Sequence, residues 1–265
     1  VSAAAFFDLD KTIIARSSTL AFASHFKRAG LLNKRALLKA AIAQSYYRMF
    51  GADHEQLERI REELGEMIRG WERTHVEEII EETVDEVVSP LVYAEALFLI
   101  DDHHRHDRPV VIISSSPVEV VGPLGRYLGA DEVIGTVSEV DEAGRYTGRL
   151  EFYAYADGKA TAIRRMAEER GFDLAECFAY SDSATDLPML EIVGHPVAVN
   201  PDKELKAIAV DRGWTVLDFE RAVTLRTRLE TIPAPVPVIS GAALAAGVAA
   251  GLAVWVLRNR RKVVG

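Results

Sequence analysis

The chain has 265 residues, 49% of them apolar and 27% charged, with a formal net charge of −9. That length buries a sizeable core with room for a second small domain, and the acidic balance argues against general nucleic-acid binding. The single cysteine, Cys177, excludes an intrachain disulfide and any cysteine-rich zinc site, and its apolar surroundings read as those of a buried, inert thiol.

The first apolar run, "AAAFFDLD", reads as a strand whose tip carries Asp8 and Asp10, with Lys11 and Thr12 following. The apolar stretch at 3–7 is short and runs straight into Asp8, so no export signal is expected there; Val1 is not a methionine, so a few residues are expected upstream. Residues 16–88 carry helical periodicity without a strong strand signal and predict an insert of three or four helices. Between residues 11 and 52 there are eight Lys/Arg and no Asp or Glu, whereas acids dominate from 53 to 86. This pattern fits a solvated bundle with an uneven surface. It also fits a basic face, with Phe22, Phe26, Tyr46, Tyr47 and Phe50 interleaved, that rests on anionic lipid. In "DDHHRHDRP", the polar end of a helix, His103, His104 and His106 read as solvated surface rather than a metal site.

Strand-like runs recur at "VVIISSS" (110–116), "CFAYSDS" (177–183), "HPVAVN" (195–200) and "WTVLDF" (214–219), with helical patterns at 159–171 and 186–193 and a β-hairpin at "SEVDEAGRYTGRLEF" turning on Glu-Ala-Gly. Alternating strands and helices predict an α/β fold: a Rossmann-like, mostly parallel sheet with helices on both faces, interrupted by the helical cap. The expected organisation is a core of residues 1–15 and 89–220, a cap at 16–88, a linker at 221–235, an apolar segment at 236–257 and a basic tail at 258–265. "VPVISGAALAAGVAAGLAVWVL" (236–257) holds 22 residues without a charge and is followed by "RNRRK". We expect a C-terminal transmembrane helix, since about 20 apolar residues span a bilayer and basic flanks settle at headgroups. Gly247 and Gly251 form a G-x-x-x-G, the spacing of closely packed membrane helices; alanine-rich segments yield it by chance too, so a homodimer through this helix stays an open alternative. The basic tail favours an inside C-terminus, while the lack of an export signal favours the main domain on the cytoplasmic face, which is the expectation adopted.

Two carboxylates one residue apart at a strand tip repel unless a positive charge lies between them. A carboxylate can attack phosphorus and divide a hard hydrolysis into two easier steps; a hard cation such as Mg²⁺, bound through oxygen, offsets the repulsion. Asp8 then serves as nucleophile and metal ligand, and Asp10 as the acid that protonates a leaving alcohol and the base that activates water. Ser114 ends the second strand and, with Ser115 and Ser116, offers a hydroxyl and backbone N–H groups for a phosphate oxygen. Lys159 opens a helix in "DGKATAIRRM" and can neutralise Asp8 and the phosphate. "SDSATDLPML" supplies Asp182 and Asp186 at a strand-to-helix turn, suited to direct and water-mediated metal binding. In doubly wound sheets, ligands bind beyond the carboxyl ends of strands, where these groups are expected.

The ordered set "DLDKT", "VVIISS", "GKA" and "SDSATD" resembles the haloacid dehalogenase superfamily, and "SDSATDLPML" with "GHPVAVNPD" is most similar to its phosphoserine-phosphatase-like branch, which carries a helical cap at the insert's position. The resemblance covers residues 4–220. It implies an aspartyl-phosphate mechanism with Asp8 as nucleophile and Asp10 as acid/base. Mg²⁺ would be held by Asp8, the Asp10 carbonyl and Asp182, with Asp186 holding metal waters or Lys159, and Thr12 and Ser115 would touch the substrate. The presence of Asp10 favours a phosphatase over a dehalogenase. Phosphoserine phosphatases carry a glutamate nine residues after the nucleophile to bind the serine ammonium; here that position is Ser17. The expectation is a Mg²⁺-dependent phosphomonoesterase acting on a small phosphorylated substrate, which the anchor and the acid-free stretch would make lipid-derived or membrane-associated. The alternatives are a phosphoserine phosphatase, or a membrane-tethered binding or scaffold protein with vestigial catalysis.

Overall fold

The computed structural model describes residues 2–32, 62 and 65–220. The segments read above as linker, transmembrane helix and basic tail, with Gly247 and Gly251 among them, lie outside the described residues, as do Tyr46, Tyr47 and Phe50. Among the described residues no helix is long and apolar enough to cross a membrane.

Seven strands make one sheet: β1 (Ala5–Phe7), β2 (Val110–Pro117), β3 (Glu132–Val140), β4 (Tyr146–Phe152), β5 (Phe178–Ser181), β6 (His195–Val199) and β7 (Thr215–Leu217), in the order β4-β3-β2-β1-β5-β6-β7. Every neighbouring pair runs parallel except β3 and β4. The expected hairpin is therefore present, with Asp141 Oδ1 accepting the Ala143 and Arg145 amides and Gly144 turning the chain at φ 74°. β3 starts earlier than the hairpin pattern suggested, and its first half pairs with β2. The described helices are α1 (Ser18–Ala21), α2 (Ala23–Arg28), α3 (Arg73–Val88), α4 (Ala94–Arg105), α5 (Val118–Leu128), α6 (Asp157–Arg170), α7 (Leu187–Leu190) and α8 (Lys203–Asp211).

Side chains alternate across a strand, and the two faces of the sheet bury separate apolar layers. Ala5, Phe7, Val110 and Ile112 pack with α3, α4 and α5, while Phe6, Val111 and Ile113 pack with Ile163 of α6, Met189 of α7 and Leu205 of α8. Phe22 and Phe26 belong to the first layer: both are buried, and Phe26 meets Trp71 with ring centroids 6.1 Å apart. They are core residues and present no aromatic face to lipid, which corrects that part of the sequence reading. The helix expected at 186–193 is cut to four residues. The Gly194 amide donates to the Leu174 carbonyl at 2.8 Å, and a Cβ there would stand 1.7 Å from the Ala175 oxygen, so the chain must turn away.

Behind the tip of β1, Phe7 stacks on Tyr180 of β5 at 4.1 Å, and His103 of α4 places Nε2 2.8 Å from the Tyr180 hydroxyl. His103 is 2% exposed, against the expectation of a solvated histidine cluster; its chain neighbours His104 and His106 are exposed and face Asp131 and Asp102. Cys177 is buried, as expected, and its Sγ accepts the Ala4 amide at 3.3 Å.

Burial, reinforced by the nearby Arg108 guanidinium, pushes the His103 pKa down to about 3. The unfolded chain takes up a proton near pH 6.5 that the folded chain refuses, so this residue costs stability as the pH falls from about 6.5 towards 3, by about 1 kcal/mol per pH unit. In urea titrations at pH 7 and pH 5, the wild type should lose more stability than His103→Gln on acidification. Parallel losses would show that His103 does not carry the dependence.

Candidate active site

The strand order places β1 at the centre, with the chain continuing to β2 and β3 on one side and to β5, β6 and β7 on the other. In open α/β sheets the ligand position is where the order reverses, which here is beyond the carboxyl ends of β1, β2 and β5. Asp8 follows β1 directly, Ser114 lies near the end of β2, and Asp182 follows β5.

Lys159 lies in the first turn of α6, 2% exposed, with Nζ 2.6 Å from Asp8 Oδ1 and 2.7 Å from Asp186 Oδ2. The same Asp186 oxygen accepts the Ser181 hydroxyl at 2.7 Å. The Thr12 hydroxyl faces Asp8 Oδ2 at 3.5 Å, and the Asp8 amide continues the sheet ladder to the Tyr180 carbonyl. Gly158 explains how Lys159 reaches this depth. A Cβ on Gly158 would stand 2.1 Å from the Tyr153 carbonyl oxygen, so only glycine lets the loop fold back onto the helix start.

Asp182 is 6% exposed and accepts Lys11 Nζ at 3.2 Å. Lys11 occupies the left-handed region at φ 61°, a conformation of order 1 kcal/mol above the ordinary ones that persists when its surroundings determine it. Asp202 braces the turn behind Asp182. Its amide donates to the Asp182 carbonyl at 2.7 Å, Oδ2 accepts the Ala184 amide at 2.9 Å, and Oδ1 caps α8 by accepting the Leu205 amide. Asp10 Oδ1 accepts the Ser18 amide at 2.8 Å, and its Oδ2 faces the Ser116 hydroxyl at 3.5 Å.

Burial raises the pKa of Asp8 well above the usual carboxylate range, opposed by Lys159 and reinforced by Asp186, Asp182 and Asp10. Burial likewise raises Asp10, and brings Asp182 to about 6 against the pull of Lys11. For Lys159, burial works against the charge, but Asp186 and Asp8 outweigh it and hold the ammonium protonated. Among the described residues, four aspartates thus cluster with one buried and one half-exposed lysine, leaving an excess of negative charge on hard oxygen donors.

That donor set fits Mg²⁺. No three His, Cys, Asp or Glu side chains among the described residues form a ready-made metal cage, and Mg²⁺ needs none, because it commonly takes one or two carboxylates and keeps waters and substrate oxygens. Asp8, Asp182 and the Asp10 carbonyl are the groups that would hold it. Asp186, engaged by Lys159 and Ser181, positions the lysine.

Of the residues expected from sequence, Thr12, Asp8, Lys159 and Asp186 form one chain of side-chain contacts in that order, and Asp10 and Asp182 join them electrostatically. Ser114 is buried, and its Oγ accepts the Ser116 amide at 3.1 Å, so that N–H is already engaged and is not free for phosphate as expected. Ser115 is exposed, and its carbonyl accepts the Thr136 hydroxyl at 2.7 Å. Sequence reasoning missed Lys11, Ser181 and Asp202, and read Ser116 as a phosphate-side group rather than as a neighbour of Asp10. A lysine adjoining the D-x-D carried a signal for Lys11, and the aspartate ahead of a helical stretch carried one for Asp202.

A haloacid dehalogenase-like hydrolase family model matches residues 5–191. A Streptomyces azureus protein named "Inhibition of morphological differentiation protein" is 49% identical over 97% of this chain and 94% of its own length. A Mycobacterium tuberculosis protein named "Probable phosphatase" is 51% identical over 94% of this chain and 84% of its own. A protein of the same organism named "Phosphoserine phosphatase" is 33% identical over 84% of this chain and 72% of its own.

Gly158→Ala should displace Lys159 from Asp8, destabilising the fold by about 1–3 kcal/mol and lowering phosphatase turnover. Chemical denaturation with parallel kinetics checks both. A variant with wild-type stability and turnover would contradict the close-approach argument.

Proposed function

Because the chain belongs to the haloacid dehalogenase-like hydrolase family and is one of its phosphatases, we propose that it hydrolyses phosphomonoesters through a phosphorylated Asp8. An Asp8 carboxylate oxygen attacks phosphorus and the bond from phosphorus to the ester oxygen breaks, with Asp10 delivering its proton to the departing alkoxide. Asp10, now a carboxylate, takes a proton from water. The water oxygen attacks phosphorus, inorganic phosphate leaves and Asp8 is regenerated. Lys159 holds one Asp8 oxygen, fixes the plane of the carboxylate and counters the charge gathered by phosphate and aspartates. Mg²⁺, when bound, supplies charge neutralisation for the phosphoryl oxygens. Ser114 lines the phosphate side with a hydroxyl whose proton is uncommitted by its contact to Ser116. The observation that carries this reading is the buried Lys159 held at 2.6 Å from Asp8 and 2.7 Å from Asp186 at the sheet's switch point.

A broad phosphomonoester panel with Mg²⁺ should reveal turnover that Asp8→Asn reduces to the buffer blank and chelation with EDTA suppresses. Acid-quenched wild type should carry one phosphoryl group on the Asp8 peptide. Activity that survives in Asp8→Asn would end the covalent route.

For the substrate, the phosphoserine phosphatase relative favours an amino-acid phosphate, whereas Ser17 stands where the ammonium-binding glutamate would be, and no acid occurs between Asp10 and Asp53. The charge-free 236–257 stretch with its basic flank supports a membrane anchor, and with it a lipid-derived or membrane-associated phosphate. On that reading, lysophospholipid phosphates in micelles should give a higher kcat/KM than phosphoserine. The reverse order would assign the chain to amino-acid phosphates.

A further inference from the structure

We propose that Ser116 is a positioning residue that orients Asp10, an inference that rests on the acid/base reading of Asp10 given above. Ser116 is 5% exposed near the end of β2. Its Oγ lies 2.8 Å from Ser18 Oγ, 3.1 Å from Thr19 Oγ1 and 3.5 Å from Asp10 Oδ2. A hydroxyl has one proton and two lone pairs, and a carboxylate only accepts. If the Ser116 proton is directed to Asp10, then Ser18 and Thr19 must both donate to Ser116 Oγ, which uses both of its lone pairs. All three hydroxyl protons then point along one path towards the carboxylate.

The second oxygen of Asp10 is held independently, by the Ser18 amide at 2.8 Å. Asp10 is thus gripped at two points from two parts of the chain: Oδ1 by the backbone at the start of α1, and Oδ2 by a side chain on the central sheet. A carboxylate held at one oxygen can rotate about its last torsion, which is broad and two-fold. Held at two, it keeps one plane. Ser116 also ties this grip to the phosphate side of the pocket, because its amide donates to Ser114 Oγ at 3.1 Å. The end of β2 therefore sets the phosphate-facing hydroxyl and the acid in one register. Ser18 and Thr19 belong to the opening turn of the insert, so the seating of that turn on the core is also part of the acid's alignment.

Orientation of an acid matters only for a leaving group that needs its proton. The test compares kcat/KM, which reports events up to departure of the alcohol, on a simple alkyl phosphate and on p-nitrophenyl phosphate, whose phenolate leaves unprotonated. In Ser116→Ala, kcat/KM on the alkyl ester should fall about tenfold, a fraction of what general acid catalysis typically supplies, and on the aryl ester by less than about twofold. The inhibition constant of inorganic phosphate and the thermal midpoint should be unchanged. Ser18→Ala, which removes one donor to Ser116 but keeps the backbone grip on Asp10, should show the same selectivity for the alkyl ester with a smaller loss. Equal losses on both esters, or none on either, would overturn the proposal while leaving the Asp10 reading intact, provided that Asp10→Asn is selectively deficient on the alkyl ester. If Asp10→Asn shows no leaving-group dependence, the acid/base reading fails and this proposal falls with it.

Discussion

A fully buried ammonium caught between two carboxylates is the interaction on which the rest of this site depends. Lys159 alone neutralises neither Asp8 nor Asp186 completely, and taking any of the three out of water is costly. The geometry compensates with short contacts, and Ser181 adds a hydrogen bond to Asp186. Deleting the lysine would leave two buried carboxylates facing each other, a change of about 3–5 kcal/mol in comparable buried pairs. The arrangement is therefore hard to reconcile with a purely structural origin. An apolar core of the same volume would be no less stable, whereas a pre-aimed, negatively overcharged cluster suits a divalent ion, whose charge would offset the repulsion of a phosphate.

The fold brings these charges together by topology rather than by proximity in the chain. Asp8, Lys159 and Asp186 come from three connections that converge because β1 is central and β2 and β5 flank it in parallel. Beneath the charged rim lies a rigid apolar support, in which the Phe7–Tyr180 stack and His103 lock the ends of β1 and β5 to α4. The opening turn of the insert contributes to the same support through Phe22 and Phe26, and to the site through Ser18. Core and insert meet at Asp10.

Residues with charge or strict spacing were legible in the sequence. Asp8 and Asp10 at the end of an apolar run, Lys159 behind a glycine, and Asp182 with Asp186 at a strand-to-helix turn all lie where their chemistry suggested. Residues whose role depends on a partner distant in the chain were not. Ser116 reads as one serine in a run of three until Ser18 and Asp10 are seen against it. His103 shares its charged neighbourhood with His104 and His106, and nothing in that segment distinguishes the side chain that turns inward to Tyr180. Phe22 and Phe26, read beside a row of basic residues, look like a surface feature. Phe26 packs against Trp71 and Phe22 against Phe26, which makes them core.

The amino-acid sequence by itself determined the alternation of strands and helices, the identity of the acids and the lysine, and their order, because periodicity and charge are properties of neighbours along the chain. It also marked residues 236–257 as a charge-free stretch, which composition alone can reveal. Only the tertiary structure decided which oxygen meets which donor, that Lys11 rather than Lys159 pairs with Asp182, and that a serine hydroxyl grips Asp10. Those choices arise when the sheet twists three chain-distant loops into one crevice and excludes the water that would otherwise satisfy every polar group.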